Sequence, residues 1–241
     1  MAHHVLILAA GKGLRLQSET PKQFLEIHSL PIIMHSMKAF FLADPTSKIY
    51  IALSKDYLEK WSKLCIDHKL KINHETYLGG DTRQESVFLG LTKIYDSFGE
   101  SSKKHLVSIH DSARPFINSK FILELIASAK KSGNAVPVIK LKNALRKIDL
   151  NNIVNSVARN RENYIMTQTP QIFTFDTIYS SYKYMMETNM KNIFDDSTAY
   201  DCLKNKTDLN LVKGREYNIK ITTKLDYIIA QTIYESLKDM K

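Results

Sequence analysis

The tightest constraint on the fold lies near the start of the chain, in VLILAAGKGLRLQSETPKQF, Val5 to Phe24. Val5-Leu6-Ile7-Leu8 is a continuous apolar run, the pattern of a strand buried on both faces of a sheet. It ends in Ala9-Ala10-Gly11-Lys12-Gly13. Such small residues let backbone N–H groups come close to a ligand, and successive N–H groups form a concave anion site. Arg15 and Lys22 follow, with Pro21 stiffening the loop between them. A small-residue loop after a buried strand, with two cations on a short tether, suits a polyphosphate. Neither of the better-known phosphate patterns is present. No GxxxxGK is followed by Ser or Thr, and Leu16 stands where GxGxxG needs its third glycine. On spacing alone, an ordinary strand-to-helix turn explains the bare GxG equally well.

The rest of the chain fits one α/β domain. At 241 residues and 44% hydrophobic content it can bury a proper core. Apolar strands alternate with amphipathic helices, which predicts a Rossmann-like, mostly parallel sheet with helices on both faces. Strands are expected at 48–53, 71–77, 104–110, 134–139 and 208–213. Helices are expected at 30–41, 56–66, 82–94, 121–131, 174–186 and 224–237. The polar, basic stretch 140–163 breaks this rhythm and reads as a β-arm inserted between sheet strands, with a flexible surface excursion as the alternative. No run is apolar enough for a membrane helix, and no leader pattern precedes the first strand. Cys65 and Cys202 lie far apart without CxxC spacing, which argues against a cysteine metal site and fits a cytoplasmic protein. The net charge of +9 is spread over many lysines rather than gathered in one arm. It suits a holder of phosphates better than a nucleic-acid binder.

Three further strings combine unusual residues. Gly79-Gly80-Asp81-Thr82-Arg83-Gln84-Glu85-Ser86-Val87 opens a helix, with Thr82 and Glu85 spaced as a capping box. Capping explains those two residues but not Gly79, Gly80, Arg83 and Ser86 together. His110-Asp111-Ser112-Ala113-Arg114-Pro115-Phe116 follows a buried strand, and ligands on open parallel sheets gather at the carboxyl ends of strands. A carboxylate there suits ribose hydroxyls or a divalent cation, and an arginine suits phosphate; a local Asp111–Arg114 pair fixing the turn is the alternative. In Asn218-Ile219-Lys220-Ile221-Thr222, alternation puts the isoleucines on one side and Asn218 and Lys220 on the other. By itself Lys220 reads as a surface lysine. Asp195 and Asp196 read as a helix start, at least one of them as the N-cap.

AAGKGLRL followed by PKQF, with GGDTRQESV, HDSARPF, QTPQIF and NIKIT in that order, resembles the 2-C-methyl-D-erythritol 4-phosphate cytidylyltransferase family and its ribitol-5-phosphate relatives. The resemblance runs nearly end to end. It implies a nucleotide-binding pocket from Ala9, Ala10, Gly11, Gly13, Gly80, Asp81, Ser86 and Asp111, with Arg83 a weaker candidate. It implies acceptor binding by Asp111, Arg114, Arg161 and Lys220, and catalytic roles for Arg15, Lys22, Arg161 and Lys220. Arg161 belongs to an arm that in the family completes the partner subunit's site, so a twofold homodimer is implied. Mg²⁺ is expected on the CTP phosphates, with no protein residue assigned as its ligand. QTPQIF is expected to turn the chain back beneath the site. One departure stands out: the family's arm carries an Asp-Thr pair, and here Asn143-Ala144 or Lys140-Leu141 occupies that place, depending on alignment.

The expected reaction is transfer of CMP from CTP to a polyol phosphate with release of pyrophosphate. GGDTRQESV and the chain length favour 2-C-methyl-D-erythritol 4-phosphate as acceptor. The changed arm keeps ribitol 5-phosphate open, and also a protein that binds CTP without catalysis.

Overall fold

The computed structural model describes residues 2–11, 20–149, 152–190, 193–203 and 207–239. In chain order the elements are β1 (His3–Leu8), a small hairpin of β2 (Glu26–Ile27) and β3 (Leu30–Pro31), α1 (Ile32–Ala43), β4 (Lys48–Leu53), α2 (Leu58–Asp67), β5 (His74–Leu78) and α3 (Arg83–Phe98). Then come β6 (Leu106–Asp111), α4 (Ser119–Ser132), β7 (Asn134–Lys140), β8 (Leu145–Asp149), β9 (Asn152–Arg159), β10 (Ile165–Thr167) and β11 (Gln171–Thr174). The chain closes with α5 (Phe175–Glu187), α6 (Asp196–Asp201), β12 (Leu211–Lys213) and α7 (Lys224–Asp239). Among the described residues no helix is long and apolar enough to cross a membrane.

β1 is the centre of the sheet. It runs parallel to β4 on one edge and to β6 on the other, with Leu6 opposite Tyr50 and Ile109. β5 extends the sheet parallel to β4, while β11 joins β6 and β7 antiparallel, and β12 adds parallel to β7. The sheet is therefore mixed around a parallel core. The alternating pleat divides the β1 run between two cores: Val5 and Ile7 pack with α1, α2 and α4, whereas Leu6 packs with α3, α5 and α6. Val5, Leu6 and Ile7 are all fully buried, as a strand covered on both faces requires.

Several boundaries differ from the sequence expectation for local reasons. α1 starts at Ile32 because Leu30 and Pro31 are taken by the β2–β3 hairpin. Residues 71–73 lie outside β5, which begins at His74. Lys104 ends a 3-10 turn, and the strand after it starts at Leu106. Within QTPQIF, Ile172–Phe173 pairs with β7 as a sheet strand, so the segment is woven into the sheet rather than only turning beneath it. Asn218, which the alternation puts on the same side as Lys220, lies in the interior. It is fully buried, with its Nδ2 donating to Thr169 O at 3.0 Å.

β8 and β9 form a two-stranded antiparallel hairpin of their own. Ile148 and Val157, which would be core residues elsewhere, are 46% and 60% exposed. α7 packs on the hairpin near the start of the chain: the Tyr227 hydroxyl and Gln231 Nε2 both donate to Glu26 O, at 2.6 and 3.1 Å.

Candidate active site

Because β1, β4, β5 and β6 are parallel, their carboxyl ends open on the same side, and a cleft of about 610 Å³ lies there. Its walls are the cradle after β1, the Gly79-Gly80 turn, the Asp111-Ser112-Ala113 turn, and Lys22 and Lys220. Four separated sequence strings thus meet in one place. Lys12 to Glu19, which includes the expected Gly13 and Arg15, lies outside the described residues.

The cradle is set by Gln23. This side chain is 1% exposed, and its Nε2 donates to Ala9 O at 2.7 Å and Gly11 O at 3.3 Å. Ala9 N–H remains in the sheet, donating to Ala52 O at 3.0 Å. The Ala9 N–H is therefore taken up by the sheet. Ala10 and Gly11 line the cleft.

The facing turn is held by Ser86. Its hydroxyl accepts from Gly80 N–H at 3.1 Å and donates to Thr82 O at 2.9 Å. Thr82 caps α3 by accepting Glu85 N–H at 3.1 Å, while Glu85 Oε2 accepts Asp81 N–H at 2.8 Å. The capping box is thus shifted by one residue at its return bond. Gly79 is glycine because of close approach: a Cβ there would sit 2.5 Å from Ala10 Cβ and 2.9 Å from Ser86 Oγ. At Gly80 the three atoms nearest the added one all belong to the Glu85 side chain.

Asp111, the last residue of β6, forms the floor. Its backbone N–H donates to Thr169 Oγ1 at 3.1 Å, and Thr169 Oγ1 lies 3.1 Å from His110 Nδ1. On the other ring nitrogen, His110 Nε2 lies 3.1 Å from Arg114 O, so the neutral tautomer that donates from Nε2 fits both contacts. Burial pushes the His110 pKa down to about 3, which keeps it neutral. Asp111 Oδ1 accepts Arg83 Nε at 3.1 Å, and its Oδ2 accepts Lys220 Nζ at 2.7 Å. Burial alone would push the Asp111 carboxyl up. Arg83 and Lys220 overcome that and hold it well below the usual carboxylate range.

Arg83 serves the protein's own carboxylates. Besides Asp111 it grips Asp196 through both terminal nitrogens, at 2.9 and 2.7 Å. Asp195, not Asp196, is the N-cap of α6, accepting Thr198 N–H at 2.9 Å. Arg114 does not border the cleft: its Nη1 donates to Asn218 O at 2.8 Å, and its Nε is buried without a partner. Arg161 does not border it either. It sits at the foot of the arm, half-exposed, donating to Lys142 O at 2.5 Å. Thr223 caps α7 by accepting Asp226 N–H at 3.1 Å, and Asp226 Oδ2 accepts in return from Thr222 and Thr223 N–H, at 2.9 and 2.8 Å.

Sequence reasoning missed Gln23, Thr169 and the Asp196–Tyr182 support of Arg83. Gln23 was in plain view in PKQF, but nothing in a linear string says that its amide turns back to Ala9. Among the described residues no three His, Cys, Asp or Glu side chains gather as a metal cluster. The Asp111 carboxylate at the floor is a hard oxygen donor of the kind a divalent ion that keeps most of its waters would accept.

A parallel-core α/β sheet, with a small-residue cradle, two lysines and a carboxylate at its carboxyl edge, has the make-up of a site for phosphorylated ligands. The profile of the family described as IspD, 2-C-methyl-D-erythritol 4-phosphate cytidylyltransferase, matches residues 3–236. The chain belongs to this family. It is 34% identical over 232 residues to the 2-C-methyl-D-erythritol 4-phosphate cytidylyltransferase of Azobacteroides pseudotrichonymphae genomovar. CFP2, covering 96% of this chain and 98% of that one. It is 33% identical over 234 residues to the same-named protein of Bacteroides fragilis, covering 97% and 100%. Among solved structures it is similar to 4-diphosphocytidyl-2C-methyl-D-erythritol synthase from Anaerococcus prevotii DSM 20548. There the TM-score is 0.80, the identity 25%, and the coverage 97% of this chain and 96% of that one.

Proposed function

We propose that this protein transfers CMP from CTP to 2-C-methyl-D-erythritol 4-phosphate, giving 4-diphosphocytidyl-2-C-methyl-D-erythritol and pyrophosphate. The observation that carries the reading is the family match across residues 3–236, within which every cleft-forming string falls.

The acceptor's phosphate oxygen attacks the α-phosphorus of CTP, and the bond to the bridging oxygen breaks as pyrophosphate leaves. A phosphate monoester is already an anionic nucleophile, so no general base is needed. Positioning and charge stabilisation carry the rate. In this scheme the backbone after Ala9 cradles the triphosphate. The Gly80–Asp81 turn and Ser86 hold the base, and Asp111 faces the ribose and acceptor. Lys22 and Arg15 neutralise charge growing on the α-phosphate and leaving group. Lys220, 36% exposed beside Asp111, reaches the acceptor phosphate. Mg²⁺ carried on the triphosphate supplies further charge neutralisation when bound. Arg114 supports the site through Asn218, the residue two before Lys220.

Arg161 would reach an acceptor from a second copy. The exposed β8–β9 hairpin, with Ile148 and Val157 uncovered, supports a homodimer built through residues 140–163. A cytoplasmic location agrees with substrates of this kind.

Pyrophosphate release with CTP and Mg²⁺ tests the function, comparing 2-C-methyl-D-erythritol 4-phosphate with ribitol 5-phosphate. Turnover is expected with the first. Turnover with ribitol 5-phosphate alone, or CTP binding with no turnover on either, overturns the assignment.

A further inference from the structure

We propose that Arg83 is a positioning residue for the reaction: anchored on the buried Asp196, its guanidinium sets the place and direction of the Asp111 carboxylate. The proposal rests on the cytidylyl-transfer reading and adds to it a chain of three side chains, Arg83, Asp196 and Tyr182.

The geometry is directional. Asp196 and Tyr182 are both 0% exposed, and the Tyr182 hydroxyl donates to Asp196 Oδ1 at 2.6 Å. Asp196 in turn receives both terminal nitrogens of Arg83, a fork-to-fork contact that fixes the guanidinium plane. With the plane fixed, Nε has one direction left, and Asp111 Oδ1 lies along it at 3.1 Å. A lysine at this position would supply charge without the fork. Burial disfavours the Arg83 charge, but Asp196 and Asp111 more than offset it, so the guanidinium stays charged.

Two observations separate positioning from simple stabilisation. Buried ion pairs are on average no better for stability than well-packed apolar side chains, so a buried Asp–Arg–Asp bridge in a cleft wall is poorly explained as fold support. Helix capping does not account for Asp196 either, because Asp195 already caps α6. The two oxygens of Asp111 are meanwhile divided between unlike partners: Arg83, which is held from behind, and Lys220, which is partly exposed at the cleft. When Lys220 turns to an acceptor phosphate, Arg83 keeps Asp111 ionised and in place.

The test is a double-mutant cycle of Arg83→Lys and Asp111→Asn, together with Asp196→Asn, whose side chain does not line the cleft. Rates are taken per folded protein, with a thermal melt on each variant. If Arg83 acts through Asp111, the double variant is no slower than Asp111→Asn alone, and Asp196→Asn lowers kcat about tenfold with KM for CTP changed less than about twofold. Additive losses in the cycle, or normal kcat in folded Asp196→Asn, overturn the proposal. Should wild-type protein show no turnover with CTP and either acceptor, the functional reading fails separately. The relay is then judged in a crystal structure of Arg83→Lys. An Asp111 carboxylate displaced by about 1 Å or more supports it, and an unmoved one overturns it.

Discussion

At the scale of single residues, the two glycines at the mouth of the cleft are not equivalent. A methyl group at Gly79 meets Ala10 Cβ, which has no rotation to escape by, and Ser86 Oγ, which is held by Gly80 N–H and Thr82 O. A methyl group at Gly80 meets a long side chain that can turn aside. Gly79→Ala is therefore expected to cost about 1–3 kcal/mol through overpacking and to weaken CTP binding tenfold or more. Gly80→Ala should cost less in both. Calorimetric CTP titration and thermal melts of the two variants check this, and equal effects would refute the contrast. Residue by residue, the sequence was legible where a contact is local. Thr82 was readable as a cap, and the Asp195–Asp196 pair as holding one, because a cap and its partner lie three residues apart. Arg83 was not, because its partners are 28 and 113 residues away. No short string distinguishes an arginine aimed at a ligand from one aimed at a buried carboxylate.

At the scale of elements, the β8–β9 hairpin contrasts with the rest of the sheet. The strand period and polar composition announced it, and in the proposed homodimer a second copy would cover it. Replacing residues 144–160 by a short turn should leave the sheet intact, since β7 keeps its pairing with β11 and β12. The expected product is a folded monomer by analytical ultracentrifugation. It should bind CTP normally and lose turnover by about a hundredfold or more, because the acceptor is no longer placed. A dimer of unchanged size would remove the arm from the assembly. QTPQIF shows the limit of reading elements from motifs. Its conspicuous Pro170 reads as a turn, yet the residues after it pair with β6 as a regular strand. What hid the strand was its brevity, Gln171–Thr174. Four residues carry too little alternation to be seen.

At the scale of the whole molecule, two histidines buried in different parts of the sheet respond to acid together. Burial pushes the pKa of His4 down to about 3, with His105, His3 and Lys48 adding to the shift, and burial does the same to His110. In the unfolded chain both titrate near about 6.5. Between about pH 6.5 and 3 the unfolded state therefore binds more protons, so stability falls as pH falls through that window. Asp44 and Asp111, whose carboxyls are depressed in the fold, add their own loss at lower pH. The melting temperature should therefore begin to drop near about pH 6.5 rather than near pH 4. His4→Phe should flatten the upper part of that profile, and a melt series in constant-ionic-strength buffers reads it.

The central place of β1 has a kinetic consequence. The strand bearing the cradle finds one edge partner at Tyr50 and the other at Ile109, so neither pairing is local. Parallel contacts so distant along the chain form slowly, since loop-closure entropy must be met before they reward it. Until both edges close, the cradle has neither Ser112 nor the Gly79 turn beside it. A nucleotide that binds the finished sheet and not the open chain would therefore stabilise the fold by mass action.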